Sequence, residues 1–312
     1  LAPLTAVAAE SPASGKKSAV ESSNVQYVFS LLPKAFQKNP LVDETVITEV
    51  TPAGKQVAPP TATQPAYYII ESGGYHVIGH GSANERPPQP AMLNTVMFRT
   101  LSAAHYLPAT IAQPPGLLLV YHWGSHNTLE GGDENTPGFD DVGHANLLSR
   151  AALVGGIRFT RDLRAALDDQ DTQDDAGATV PPGFDSTAVD FQPLEHFMDR
   201  DDRTRQLVAQ AQVNCYYVIV SAYDCASVTQ GKRQLLWRTK MTVDAQGVAM
   251  DDTLPGLIMN AGKYFGQDMS VAATLSKRLS REGRVDLGDL AIKNTLKARE
   301  EKKPADSPSA PR

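Results

Sequence analysis

Three features of the sequence predict an α+β (mixed α/β) fold, with helices packed on a mixed sheet of about four or more strands and a long insertion. Two runs, "GLLLVYHW" at 116–123 and "CYYVIVSAY" at 215–223, are apolar on both parities, as strands covered on both faces are. The chain ahead of the first run reads strand, helix, strand, the order of a βαβ unit. Finally, "RQLLWRTKMTVDAQG" places Leu235, Trp237, Met241 and Val243 on one parity and Arg238, Lys240 and Thr242 on the other. That alternation predicts a strand with one wet face, or one near an edge.

Taken in order, residues 1–24 are small and polar and are expected to be disordered. Residues 25–65 read as an arm and a Pro-rich linker. The arm holds a β-branched run at Val46 to Val50 that could form a first strand, and the linker is "TPAGKQVAPPTATQPA". A core domain is expected over 66–270, with an insertion at 124–194, and a basic, partly disordered tail over 271–312.

Within the core, "AYYIIESGGYHVIG" predicts a strand with a turn or bulge at Gly73-Gly74. Leu93, Val96, Met97, Leu101 and Ala104 then recur with helical period and stop before Pro108. In the insertion, a helix is predicted from Ala145 to Leu167, interrupted at Gly155-Gly156, followed by an acidic loop from Asp168 to Asp175. That loop lacks the D-x-D-x-D-G order of a calcium site. A further helix over Leu194 to Ala211 leads into the second apolar run, and a turn at "TQGKR" joins that run to the alternating strand as an antiparallel hairpin. Asp251 to Phe265 predicts a helix with Thr253 as N-cap, Leu254, Leu257, Ile258 and Ala261 as its apolar stripe, and Gly266 as its stop.

The charge balance, 29 Lys and Arg against 35 Asp and Glu, gives a net −6, which supplies no overall positive field for nucleic acid. No run approaches the roughly 20 apolar residues of a membrane helix, so no membrane span is expected. The opening "LAPLTAVAAESPASGKK" looks like the tail of a signal peptide and predicts export, to the periplasm, the envelope or the medium. Cys215 and Cys225, the two cysteines, would stand about 30 Å apart on one strand, too far to bond.

The candidate chemistry centres on histidine. His76 and His80, and His122 and His126, are each spaced four apart, a zinc half-site on a helix. On a strand, residues four apart share a face at about 13 Å, beyond the reach of one ion. A site drawing His76 and His122 from neighbouring strands, with Asp140, Asp141 or His144 from the insertion, is geometrically open, and zinc is the metal it would take. The plainer reading is strand-end histidines in ordinary hydrogen bonds. Ser125 and His126 are adjacent, but neighbours on a strand point to opposite faces, and no G-x-S-x-G motif is present. No P-loop or G-x-G-x-x-G motif is present, so no nucleotide cofactor is expected. Trp123 and Trp237 read as core, and Lys277, Arg278, Arg281 and Arg284 as a solvated helix face.

Over most of residues 25 to 290, at "YVFSLLPKAFQKNP", "GLLLVYHWGS" and "LLWRTKMTVDAQG", the chain resembles an uncharacterised family of exported proteins from verrucomicrobial-type bacteria. More distantly, "LLLVYHW" and "QLLWRTKM" are similar to small bacterial lipoprotein domains of unknown function, although the long insertion and the missing lipobox Cys depart from that pattern. The resemblance implies export and no assigned activity. The sequence therefore leads to the expectation of an exported envelope or surface protein, a non-enzymatic binding or assembly module with a protein partner. The alternative is a metal-dependent or hydrolase-like enzyme using His76, His122, His126 and His144.

Overall fold

A computed structural model describes residues 33–37, 39–81, 85–129, 139–177 and 193–279, with the backbone alone at 139–141 and 170–177. In chain order the elements are β1 (Leu41–Val50), β2 (Ala66–Ile78), α1 (Pro90–Ala103), β3 (Tyr106–Pro108) and β4 (Leu117–His126). Then come α2 (Phe139–Val154), α3 (Gly156–Gly177), α4 (Pro193–Met198), α5 (Asp202–Ala211) and β5 (Cys215–Asp224). The chain continues through α6 (Cys225–Thr229), β6 (Leu235–Asp244), α7 (Met250–Ala261) and β7 (Ala273–Arg278).

One seven-stranded sheet runs in the order β3-β2-β4-β5-β6-β1-β7. β2 is parallel to both β3 and β4, because α1 carries the chain across between them. Every other pairing is antiparallel, so the sheet is mixed and the protein is α+β. The two apolar runs become β4 and β5, the central pair, with Leu117 opposite Asp224 and His126 opposite Cys215.

Strand parity sorts the residues onto two faces. Leu119, Tyr121 and Trp123 of β4, Val218 and Val220 of β5 and Trp237 and Met241 of β6 turn to one face and pack on Leu93, Met97 and Leu101 of α1 and Leu254, Leu257 and Ile258 of α7. Tyr121 stacks on Trp123 and Trp237 on Phe265, so both tryptophans lie in the core. The opposite face is covered by α2 and α3 over β1 and β6, with α4 and α5 packed outside them on Leu163, Ala166 and Phe197.

Several expectations are corrected. The domain expected at 66–270 is too narrow, because β1, from the supposed arm, lies between β6 and β7, and β7 comes from the supposed tail. β6 is neither wet nor an edge strand: Lys240 and Thr242 are buried beneath α2. Residues 168–175 continue α3 and do not form a loop. The helix expected at 194–211 is two helices, and Asp201 caps the second by accepting from the Thr204 N–H. Thr253 lies inside α7, bonded back to the Ala249 carbonyl, and is no N-cap. Lys277 and Arg278 belong to a strand, while Arg281 and Arg284, like residues 1–24, lie outside the described residues. The break at Gly155-Gly156 is present, with Gly155 between α2 and α3 and Gly156 opening α3 at φ +79°.

Candidate functional site

The outer half of the sheet, where β2 runs beside β4, holds most of the chemistry-bearing side chains. The register of β2 shifts between Ser72 and Gly74, and Gly74 adopts φ +85°, a bulge that uses up one residue. Beyond it the parities of β2 are exchanged: Tyr75 and Val77 now face as Ile70 and Ser72 do, and His76 and Ile78 face as Ile69 and Glu71 do. The bulge therefore turns His76 onto the same face as His122. Their rings meet edge to face at 5.7 Å, and His122 meets Tyr217 in the same way at 6.2 Å.

His76 is exposed, with Nε2 2.9 Å from the Gly73 carbonyl. His122 is half-buried, and burial, then the neighbouring His76 and Arg238, lower its pKa. His122 is thus held toward the neutral imidazole, the form in which histidine binds a metal. Gly124 is required beside the pair, since a Cβ there would strike the His76 carbonyl.

The other two candidate histidines do not join them. His126 shares the face of His122 but is fully buried under α2, where its Nε2 lies 2.9 Å from Ser149 Oγ and its Nδ1 has no partner. Burial, then the Arg150 charge, push its pKa down to about 4. His144 lies on α2. Among the described residues no three His, Cys, Asp or Glu side chains gather around one point; the side chains of Asp140 and Asp141 lie outside that description.

On the opposite face, Glu85 gathers three donors. Tyr75 and Ser125 donate to its Oε2 at 2.8 and 2.7 Å, and Asn127 Nδ2 donates to its Oε1 at 2.9 Å. Burial, then the Glu85 hydrogen bond and charge, push the Tyr75 phenol up to about 12. Ser125 and His126 point to opposite faces and cannot form a relay with each other. The Glu85 carboxylate fastens the chain that enters α1 to the sheet. No local sequence pattern announces this contact, since Glu85 sits in "NERPPQP" and meets its donors only across the fold.

Beneath α2, two charged side chains, Arg150 and Lys240, are buried. Arg150 donates from Nε to the Ala211 carbonyl at 2.6 Å and from Nη1 to the Asn127 carbonyl at 3.1 Å and to Asn146 Oδ1. All these acceptors are uncharged, and one is the last carbonyl of α5, where the helix dipole is negative. Burial lowers the Arg150 pKa and pushes the adjacent Cys215 thiol up to about 12, so this cysteine is an inert thiol. Cys225 is also free. Lys240 bonds Glu49 at 2.9 Å and the Ala152 carbonyl at 2.8 Å, while Glu49 accepts from the Ile157 N–H at 2.6 Å. One ion pair thereby caps both the end of α2 and the start of α3.

Elsewhere, a half-open apolar cavity of about 440 Å³ lies under the Pro-rich segment, lined by Pro59, Pro60, Pro65, Tyr106 and Trp237 with Asp224 at its wall. Asp224 is engaged as the cap of α6, accepting from the Ser227 N–H at 2.7 Å.

No family model matches the chain, and no curated protein matches it. Among solved structures, a PDZ domain protein from Parabacteroides distasonis is similar over 78% of this chain and 40% of that one, at 11% identity and a TM-score of 0.35. The chain thus spans less than half of that protein, and a likeness at this level assigns neither fold nor function.

Proposed function

We propose that this protein is an exported envelope or surface protein that works as a non-enzymatic binding or assembly module and takes a protein partner at the outer edge of β2. The observation that carries the reading is the state of that edge. β3 covers only Ala66 to Tyr68, and from Ile69 to Ile78 the outer side of β2 meets no other strand among the described residues. Ile69, Tyr75, Val77 and Ile78 are exposed there. A strand edge that long attracts extended chain, and proteins normally protect it with Lys, Pro or brevity. The opposite edge of the sheet has such protection, since β7 is six residues long and ends in Lys277 and Arg278. From Ile69 to Ile78 the β2 edge runs ten residues with no Lys and no Pro. Export rests on the family resemblance given above.

The test is a photo-crosslinking residue placed at Val77 and, as a control, at Met259, an exposed position on α7. In the source cells, adducts to protein are expected from Val77 and not from Met259. Equal yields at both positions would remove the reading.

The pairing of His76 with His122 favours a second reading, a metal-dependent enzyme with zinc held by those two rings and by further donors. Metal analysis of the purified protein and of His122→Ala separates the two readings: stoichiometric zinc lost in the variant favours the enzyme.

A further inference from the structure

From Ile69 to Ile78 the outer edge of β2 meets no other strand among the described residues. Its inward and outward backbone groups are fixed by hydrogen bonds at both ends of the strand. The Tyr67 carbonyl accepts from the Gly116 N–H and the Ile78 carbonyl from the Asn127 N–H, both on the β4 side. The Tyr68 carbonyl accepts from the Ala109 N–H on the outer side. Alternation along the strand then turns Ile70 and Ser72 outward before the bulge, and Tyr75 and Val77 outward after it.

The bulge keeps these four in step. Ile70, Ser72, Tyr75 and Val77 stand opposite Leu119, Tyr121, Trp123 and Ser125 of β4, every second residue of a regular strand. The extra residue at Gly73-Gly74 is absorbed in the β2–β4 register, so the outward residues on either side of it keep the two-residue spacing of β4.

We infer that the partner at this edge is a second copy of the chain, added antiparallel about a two-fold axis through Gly74. This deepens the proposed binding role and rests on it. In that register Ile70 lies opposite Val77 of the second copy and Ser72 opposite Tyr75, each an outward pair that exchanges two backbone hydrogen bonds. Between them lie the non-hydrogen-bonded pairs: Ile69 with Ile78, Glu71 with His76, and Gly74 with Gly74. Every pair joins side chains on the same face, apolar residues meet apolar residues, and the carboxylate of Glu71 meets an imidazole. The closest approach, on the axis, falls at a residue with no side chain. Shifting by two residues either way would set Ile69 against His76, or Glu71 against Ile78. A shift by one would oppose outward groups to inward ones. Gly79, at φ +82°, ends the regular strand just beyond the last pair. An isologous interface of this kind closes as a dimer and leaves no growing edge.

The register makes the test specific. Glu71 and His76 of one chain stand about 13 Å apart along the strand, out of disulfide reach of each other, but directly opposite one another across the axis. Full-length chain carrying Glu71→Cys is mixed with chain carrying His76→Cys and oxidised. A disulfide-linked dimer is expected in the mixture and not in either variant alone. Sedimentation of the unmodified chain is expected to give a species of twice the 33.6 kDa chain mass in the micromolar range. Val77→Pro removes an outward N–H that no described residue uses, so it is expected to keep the fold and weaken the dimer at least tenfold. Should that variant unfold, Glu71→Lys is expected to weaken the dimer and Glu71→Lys with His76→Glu to restore it.

A chain that stays monomeric at 100 µM, a dimer indifferent to both Val77→Pro and Glu71→Lys, or a disulfide formed equally by either single variant would overturn self-pairing. Adducts from Val77 to a different protein, alongside a monomeric purified chain, would overturn it too while leaving the binding role standing.

Discussion

The two faces of the sheet are held to their helices by different physics, although adjacent residues of the same strands serve both. On β6, Met241 is buried among α7 and the aromatic side chains, whereas its neighbour Lys240 is buried in an ion pair that caps two helices. The first face is stabilised by area removed from water and by close packing, with few polar groups that need a particular partner. The second is held by charges and carbonyls that stabilise only while every partner is in place. Glu44, tied to Asn260 at 2.8 Å and raised in pKa by burial, is a charged-type group on the apolar face.

The sharpest separation of the two comes from removing one partner of the clamp. Glu49→Ala leaves a buried Lys240 without its counter-charge and frees the Ile157 N–H in the first turn of α3, and is expected to destabilise by about 4 kcal/mol. Replacing both, as Glu49→Leu with Lys240→Met, is expected to recover stability to within about 1 kcal/mol of the original, since neither charge is then buried alone. Urea denaturation measures both. If the double variant were as unstable as the single one, the clamp would be stabilising beyond its own desolvation and the contrast between faces would fail.

Met241→Ala, one residue along and on the other face, is expected to cost about 3 kcal/mol through lost transfer and the cavity left behind. No second substitution at a bonded partner can relieve it, because it has none. A loss under about 1 kcal/mol would mean that this face repacks freely.

This division also explains what could be read from the sequence. β4 and β5 were legible because burial on both faces leaves an unbroken apolar run, and α1 and α7 because their stripes recur with helical period. β6 misleads for a definite reason: its polar parity reports the chemistry of Lys240 and Thr242 but not that Glu49 and Thr45, both far away on β1, satisfy them. β1 itself is separated from the rest of the sheet by a segment with four prolines, and nothing local says that it inserts between β6 and β7. The closeness of His76 to His122 could be reached from the sequence, as residues on neighbouring parallel strands. The Glu85 contacts could not, since they join a loop to a strand with no periodic signal at either end.

On the face beneath α2, acid should act through His126. His126 has its folded pKa depressed to about 4, from an ordinary value near 6.5, so the unfolded chain binds the proton more tightly. The stability it contributes is complete above pH 6.5 and is lost as pH falls from there toward 4, about 3 kcal/mol in all. Urea midpoints measured at pH 7.5 and 4.5 for the wild type and for His126→Gln give the difference. The variant is expected to lose less stability over that interval, and equal losses would show that His126 is hydrated or paired in a way that buries no neutral ring.

The smallest effect makes the finest test, because β1 carries two threonines that meet β6 on opposite faces. Thr45 bonds only Thr242 through its hydroxyl, beneath α2. Thr48 bonds Thr239 at 2.7 Å and also the Tyr264 carbonyl at 2.8 Å, on the side of α7. Changing Thr45 and Thr242 together to Val removes both hydroxyls of a closed pair and is expected to alter stability by less than about 0.5 kcal/mol. Changing Thr48 and Thr239 together leaves the Tyr264 carbonyl without its donor, at about 1 kcal/mol or more. Thermal denaturation of the two double variants compares them directly, and the sign of their difference is the informative quantity. If the Thr45–Thr242 replacement proves the costlier, the polar face tolerates less change than its bonding pattern implies, and an unrecognised partner must reach those hydroxyls.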